Sequence, residues 1–478
     1  MAIDFIRGSV ARSLAIVTVS VVMSLSVGSL EAAEWRLAPG VSANYSYSDN
    51  INLDDSAVET AQIIELSPSI GIQAKGASLS YIFNYSPLFH YRESDQGATH
   101  NVQHPLNSTL SLDLLKDRLL IDSGASITRY YSDASKGLVS DQQAIRSDYS
   151  EAQRVHLSPT LKLKLGEKLD FESSYKVDGL RQKGADKGHS LGKRLSLALR
   201  RDRHQQKIGW GLSHQRNEVE FNSNSADQTS STGTNGYVNY QLNTRLRLSA
   251  DVGQETFSDR AATNRQDTSN GYYGAGLNWL PSKHTVIELN CRQFEYGNSC
   301  STNSNYRSKS FLLGAMVNES RIQARDVNLS DQMVDCGAGE DCSSIAAAGL
   351  PLTEGLIDNQ NINLYGNMNS GRLTITGQLS RTKKNYVASS TIERLYQGSA
   401  GVTYQSGQRA TMAAHLTKQH NSIKAGVVET QTLELSYQYQ LGEKVVLNGM
   451  LRETENETLI AQGSYQEQRV TFGVTASF

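Results

Sequence analysis

The stretch Arg469–Phe478 alternates without interruption: Val470, Phe472, Val474, Ala476 and Phe478 are apolar, and the residues between them are polar or small. Side chains of a strand point to opposite faces in turn, so this segment sets grease against one medium and water against another. The pattern recurs. Leu433, Leu435, Tyr437, Tyr439 and Leu441 oppose Glu434, Ser436, Gln438 and Gln440. Ile64, Leu66, Ile70 and Ile72 oppose Glu65, Ser67, Ser69 and Gln73, while Leu110, Leu112 and Leu114 oppose Thr109, Ser111 and Asp113. Ile362, Leu364 and Met368 oppose Asn361, Asn363 and Asn367. Period two sustained this often excludes a helical chain. Each run has roughly the 9–11 residues that a tilted strand needs to cross a bilayer.

Turn residues cut these runs at Lys75-Gly76, Lys116-Asp117, Gly166-Glu167-Lys168, Arg201-Asp202-Arg203, Asn243-Thr244-Arg245, Pro281-Ser282-Lys283, Asn318-Glu319, Ser370-Gly371, Ser406-Gly407 and Gly442-Glu443-Lys444. Two are near copies, Leu165-Gly166-Glu167-Lys168 and Leu441-Gly442-Glu443-Lys444. About ten tight turns give roughly eleven hairpins and about 22 strands. The other connections are long and polar: Asp133–Asp148, Asn217–Gly233, Ser258–Asn270 and Asp331–Glu354. Short turns on one rim and long loops on the other predict an all-β, transmembrane, antiparallel up-and-down barrel of the bacterial outer membrane, its short rim periplasmic. Val470, Phe472, Val474 and Phe478 then form the closing strand's insertion signal. Trp35, Trp210 and Trp279 fall near the short rim as a periplasmic aromatic belt, with Tyr45, Tyr47, Tyr91 and Tyr131 toward the other. Ordinary core aromatics of a soluble sheet are the alternative reading.

Mean hydropathy is −0.44, as in a soluble protein, but a barrel hides its lipid face at every second position. A net charge of −2 argues against a nucleic-acid partner. Residues 1–33 read as a cleavable secretory signal, with Arg7 and Arg12 before the apolar Leu14–Val27 and the small residues Ala32-Ala33 after it. No shift in composition divides residues 34–478, which are expected to form one barrel. Barrels of this size are often transporters with a plugged lumen; no plug-sized segment is evident in the sequence, so the expectation is a barrel without a plug domain.

If the registers hold, the lumen carries Arg36, Lys162, Lys164, Lys176, Arg194, Arg200, Arg247, Arg292, Arg372, Arg452 and Arg469. Glu65, Asp113, Asp122, Asp170, Glu172, Asp251, Glu288 and Glu434 oppose them, with Ser, Thr, Asn and Gln between. This lining suits a polar or weakly anionic polymer in a hydrated path. Equally, the charges can pair across strands and stiffen the wall. His90, His156 and His415 could point inward, but none has an acid and a nucleophile at useful spacing, so no enzymatic role and no cofactor are expected. Asp49, Asp54 and Asp55 lack the glycine and glutamate positions of a calcium loop and read as a solvated tip. The four cysteines allow two disulfides. Cys336 with Cys342, a clip within the longest loop, is favoured, and Cys291 with Cys300 would tie a strand end to its following loop.

The segment Tyr45-Ser46-Tyr47-Ser48-Asp49-Asn50-Ile51-Asn52-Leu53, followed by Ile64-Glu65-Leu66-Ser67-Pro68-Ser69-Ile70, resembles the opening of the outer-membrane barrels associated with PEP-CTERM/exosortase and exopolysaccharide loci. The resemblance implies an outer-membrane conduit or scaffold for exopolysaccharide secretion or surface assembly, in a Gram-negative cell. It transfers no catalytic residue. Implied partners are exopolysaccharide and periplasmic export proteins, beside the outer-membrane lipid, lipopolysaccharide and the barrel-assembly machinery that any such barrel meets. A structural or adhesive surface barrel, or a general diffusion porin, are the competing expectations.

Overall fold

The computed structural model describes residues 33–53, 55, 58–131, 149–166, 168–184, 188–201, 207–221, 228–259, 266–295, 297–323, 356–387, 391–423, 426–458 and 464–478. The signal-peptide reading therefore falls outside the described residues, as do Cys336 and Cys342.

Every regular element among the described residues is a strand. The sheet opens with β1 (Glu34–Ser48), β2 (Ala61–Lys75), β3 (Leu79–Tyr85), β4 (Leu88–Ser94), β5 (Gly97–Gln103) and β6 (Leu106–Leu114). Then come β7 (Leu119–Tyr131), β8 (Tyr149–Leu165), β9 (Leu169–Gly184), β10 (Gly188–Arg201), β11 (Ile208–Phe221) and β12 (Gln228–Asn243). β13 (Leu246–Asp259), β14 (Gln266–Ser282), β15 (Thr285–Phe294), β16 (Gly297–Arg307), β17 (Phe311–Gln323) and β18 (Leu356–Ser370) continue it. β19 (Leu373–Tyr386), β20 (Thr391–Gln405), β21 (Ala410–Ile423), β22 (Gly426–Leu441), β23 (Val445–Thr458) and β24 (Tyr465–Ser477) complete it.

Each strand pairs antiparallel with its neighbours, and β1 pairs with β2 on one side and β24 on the other, so the sheet closes. Its 24 strand segments make 22 staves. The difference comes from two prolines. β3 and β4 both pair with β2, and β5 and β6 return along them as one broken strand. The breaks fall at Ser86-Pro87 and His104-Pro105, where the ring nitrogen cannot donate to the ladder. The two breaks lie side by side, Ser86 N donating to Pro105 O.

The side chains sort as their alternation requires. Leu37, Ile64, Leu66, Leu161, Leu212, Leu364, Leu379, Leu435, Leu451, Phe472 and Val474 are exposed on the outer face. Among the described residues the tight turns stand where the sequence places them, with one exception; Glu167, Asp202 and Arg203 lie outside the described residues. Gly166 and Gly442 of the duplicated turn both adopt left-handed conformations, φ 67° and 76°, which a residue without Cβ adopts at least cost. Asn318-Glu319 is not a turn. Both residues lie inside β17, and the chain reverses at Ser308–Ser310 instead, where Ser308 N donates to Phe311 O at 2.7 Å. Apolar residues on both faces of β17, Leu312 with Leu313 and Met316 with Val317, blur the alternation that would have located this turn.

Cys291 and Cys300 form a disulfide between directly opposed positions of β15 and β16, with Cα atoms 4.1 Å apart. Cys300 thus sits in a strand and not in the loop where the sequence placed it.

Candidate functional site in the barrel lumen

Pleating gives the barrel an outer and an inner face, and the inner face has two characters. On β8, β9 and β10 it is charged. Lys164, Asp170 and Arg200 are register partners across the three strands, as are Lys162 and Glu172. Arg200 pairs with Glu172, and Arg194 Nε donates to Asn217 Oδ1 at 2.7 Å. Lys176 stands opposite Arg194. Elsewhere on the inner face Arg36 pairs with Glu34 at 2.6 Å, Arg292 with Asp251 at 2.8 Å and Arg452 with Glu434 at 2.9 Å. Arg247 faces inward opposite Asn278. Arg372 is not a wall residue; it lies in the Ser370–Leu373 turn. Many of the basic positions thus face an acid on a neighbouring strand, the cross-strand pairing that stiffens a sheet.

β17 to β20 are different. Their inner face carries no Asp, Glu, Lys or Arg among the described residues except Lys384 and Glu393, which are register partners at the outer end. Along β18 it presents Asn359, Asn361, Asn363, Tyr365, Asn367 and Asn369 in a column. Asn318 of β17 and Thr382 of β19 flank Asn361, while Ser380 and Thr376 flank Asn363 and Asn367. Gln397 and Ser399 of β20, then Gln419 and Thr417 of β21, extend the row. The Oδ1 atoms of Asn359, Asn361, Asn363 and Asn367 are buried and accept no hydrogen bond from protein. A carboxamide both donates and accepts, and a turn about χ2 brings either end to the lumen. Below Lys384 and Glu393 the result is an uncharged lane of amides and hydroxyls, interrupted by Leu312 and Met316 opposite Asn367 and Asn363 and by Leu395 opposite Thr382.

The first outer loop folds inward over the seam. Ile51 is fully buried and packs with Ala61 and Ile63, and Leu53 packs with Tyr465. Asp49 N donates to Gln468 O, and Gln468 N donates back to Asp49 Oδ1 at 2.7 Å. Asn50 Nδ2 donates to Gln466 O, and Gln466 N to Asp55 Oδ1. The motif spanning Tyr45–Leu53 therefore extends the β1–β24 ladder and caps it with apolar side chains. Asp49 is half-buried in this seam and not part of a solvated tip, whereas Asp55 is exposed with its Oδ1 accepting from Gln466 N; Asp54 lies outside the described residues. Glu59 accepts from Asn52 Nδ2 at 2.6 Å and from Gln96 N at 3.2 Å. A hydrogen bond from Ser94 contributes most to holding its carboxyl below the usual range, with Asn52, Gln96 and the nearby Arg92 adding to it against the cost of burial.

Sequence reasoning did not single out Arg92, which is buried beside this loop with Nε and Nη1 unpartnered. His90 faces inward with Nδ1 3.3 Å from Glu65 Oε1. Below the loop, Arg469 is buried against Glu467 at 2.5 Å, and Ser48 Oγ donates to the same carboxylate. Trp35, Trp210 and Trp279 lie on the outer face close to tight turns, and Tyr45, Tyr47 and Tyr91 lie outward nearer the other rim. The side chain of Tyr131 is outside the described residues. Val470, Phe472 and Val474 share the outer face of β24, and Phe478 N donates to Pro39 O across the seam.

No family model matches the sequence, and no curated protein is similar to it. Solved structures are similar in fold. The FrpB iron transporter from Neisseria meningitidis, F5-1 variant apoprotein, superposes with a TM-score of 0.52 at 12% identity, over 92% of this chain and 81% of that one. The ferric citrate transporter FecA gives 0.51 at 10% identity, over 92% and 78%. The ferric-catecholate import receptor Fiu from E. coli K12, in its open form, gives 0.50 at 10% identity, over 92% and 81%. The protein is a large β-barrel of the Gram-negative outer membrane. The comparison also corrects the fold expectation. The barrels it matches are iron and siderophore receptors, the 22-strand class whose lumen holds a plug, so a barrel set apart from that class by lacking a plug domain does not stand.

Proposed function

We propose that this outer-membrane barrel is a conduit or outer-membrane scaffold for exopolysaccharide secretion. The observation that carries the reading is the charge-free lane on β17–β20. A hydroxyl-rich polymer moves only if each hydrogen bond it breaks is replaced at similar strength. Neutral amides and hydroxyls offer such exchange at every step, whereas lone charges would create deep wells or barriers. The resemblance of Tyr45–Leu53 to the barrels of PEP-CTERM/exosortase and exopolysaccharide loci supports the same direction. The likeness to iron and siderophore receptors is one of fold, at 10–12% identity. On this reading the periplasmic rim meets export proteins, and the outer face of Val470, Phe472, Val474 and Phe478 is what the assembly machinery reads.

Purified protein in planar bilayers is expected to give steady channels that oligosaccharides from the producing cell's own polymer block transiently. Deleting the gene should strand polymer in the periplasm. Normal extracellular polysaccharide in the deletion strain would leave a diffusion porin or an inert surface barrel as the answer.

A further inference from the structure

The outer face of β18–β21 contains a groove in the band where the wall leaves the hydrocarbon. Two adjacent rows of register partners build it. The upper row is Ile362, Arg381, Tyr396 and His420; the lower is Leu364, Leu379, Gly398 and Lys418. Together they line a cavity of about 490 Å³. Gly398 opens its floor: a Cβ there would approach Leu379 Cδ2 to 3.2 Å, and a longer side chain would fill the slot. Leu364 and Leu379 are exposed on the outer face. Tyr396 stands above the Ser406–Arg409 turn by roughly the 9–11 residues that a tilted strand uses to cross. Apart from Lys418 at one end, whose Nζ reaches Glu429 at 3.6 Å, the slot is therefore apolar below, and it reaches the headgroup level above.

Cations crowd that upper edge. The Arg381 guanidinium lies 5.7 Å over the Tyr396 ring, and its Nε is buried without a hydrogen-bond partner. One step further out, Lys383 and Arg394 are directly opposed register partners on the same face. Like charges so placed repel unless an anion lies between them. The nearby acids are engaged elsewhere: Glu429 with His420 at 2.8 Å and Lys418 at 3.6 Å, Asp358 with Arg321 at 2.6 Å. An apolar slot beneath uncompensated cations is complementary to an acyl chain beneath a phosphate, which a guanidinium binds as a fork.

We propose that this groove binds a phosphorylated, acylated glycolipid of the outer leaflet, one acyl chain over Gly398 and the phosphate against Arg381, Lys383 and Arg394. The site is independent of whatever crosses the lumen.

The test uses the full-length barrel in mild detergent, loaded separately with lipopolysaccharide or phosphatidylglycerol, washed, and read by native mass spectrometry. Wild type is expected to retain lipopolysaccharide about tenfold better than phosphatidylglycerol. Arg381→Gln with Arg394→Gln should lower that retention about tenfold, and Gly398→Leu should do the same with every charge in place. Lys193→Gln, on the outer face of the opposite wall where Lys193 pairs with Glu220 at 2.6 Å, should change nothing. Heat-shifted electrophoretic migration confirms closure of each variant, and Arg381→Gln alone remains decisive if Gly398→Leu does not close. Equal retention by wild type and the arginine variants, or equal retention of the two lipids, overturns the proposal.

Discussion

The inner faces of β8–β10 and of β17–β20 stand on nearly opposite sides of one cylinder, with the same pairing and similar strand lengths, yet they share almost no chemistry. One is a ladder of Lys, Arg, Asp and Glu; the other is a lane of Asn, Gln, Ser and Thr. Backbone hydrogen bonds close both equally well, so charge pairing is not what makes the wall. Lumenal side chains are free to be chosen for what they touch. The charged wall gains rigidity and an ion field, and the neutral wall gains a surface on which a polyol can slide.

The largest expected contrast is in stability. Replacing Arg469 with Met leaves the buried Glu467 carboxylate with only its Ser48 hydrogen bond and the more distant Arg452, and should cost about 3–5 kcal/mol. Asn363→Ala, in the neutral lane, should cost less than about 1 kcal/mol. Denaturant titration of barrels refolded into vesicles, followed by tryptophan fluorescence, measures both. Comparable losses would erase the distinction. Transport comes next. Asn361, Asn363 and Asn367 changed together to Leu should shorten oligosaccharide block of the channel about tenfold. Lys162→Gln with Lys176→Gln should instead shift ion selectivity and leave the block intact. If the lysine variant loses the block, the polymer follows the charged wall.

The smallest effect is with pH. Glu59 has a folded pKa below its ordinary 4.5, so its contribution is present above that value and is lost as pH falls through the lower folded value. Acidification below about pH 4.5 should loosen the inward loop, seen as faster quenching of a fluorophore at Val58. A fluorophore at Asn369, in a lane without titrating carboxylates, should not respond.

Much of this was legible in the sequence because period two survives in single strands. Ile362, Leu364 and Met368 against Asn361, Asn363 and Asn367 already described both faces of β18. The Ser308–Ser310 turn was not legible, since Ser-Lys-Ser carries no backbone signature and the following strand is apolar on both faces. The prolines at 87 and 105 marked breaks only once their strands were paired side by side. Ile51 and Leu53, apolar residues in a polar loop, were a usable signal for the inward fold. The lipid groove had none: Gly398 matters only because Leu379 and Lys418 flank it in register, and that row joins residues from four strands.

The seam also has a temporal meaning. Ser48 and Glu467 meet across a separation of 419 residues, and the first loop rests on backbone atoms of β24. The first strand and loop of the barrel therefore have no finished surface to settle on until the last strand arrives. Contacts of such separation are slow to form, so closure of the ring comes late in folding. A chain cut short before Tyr465 would lose more than its last stave: the first loop would have nowhere to dock.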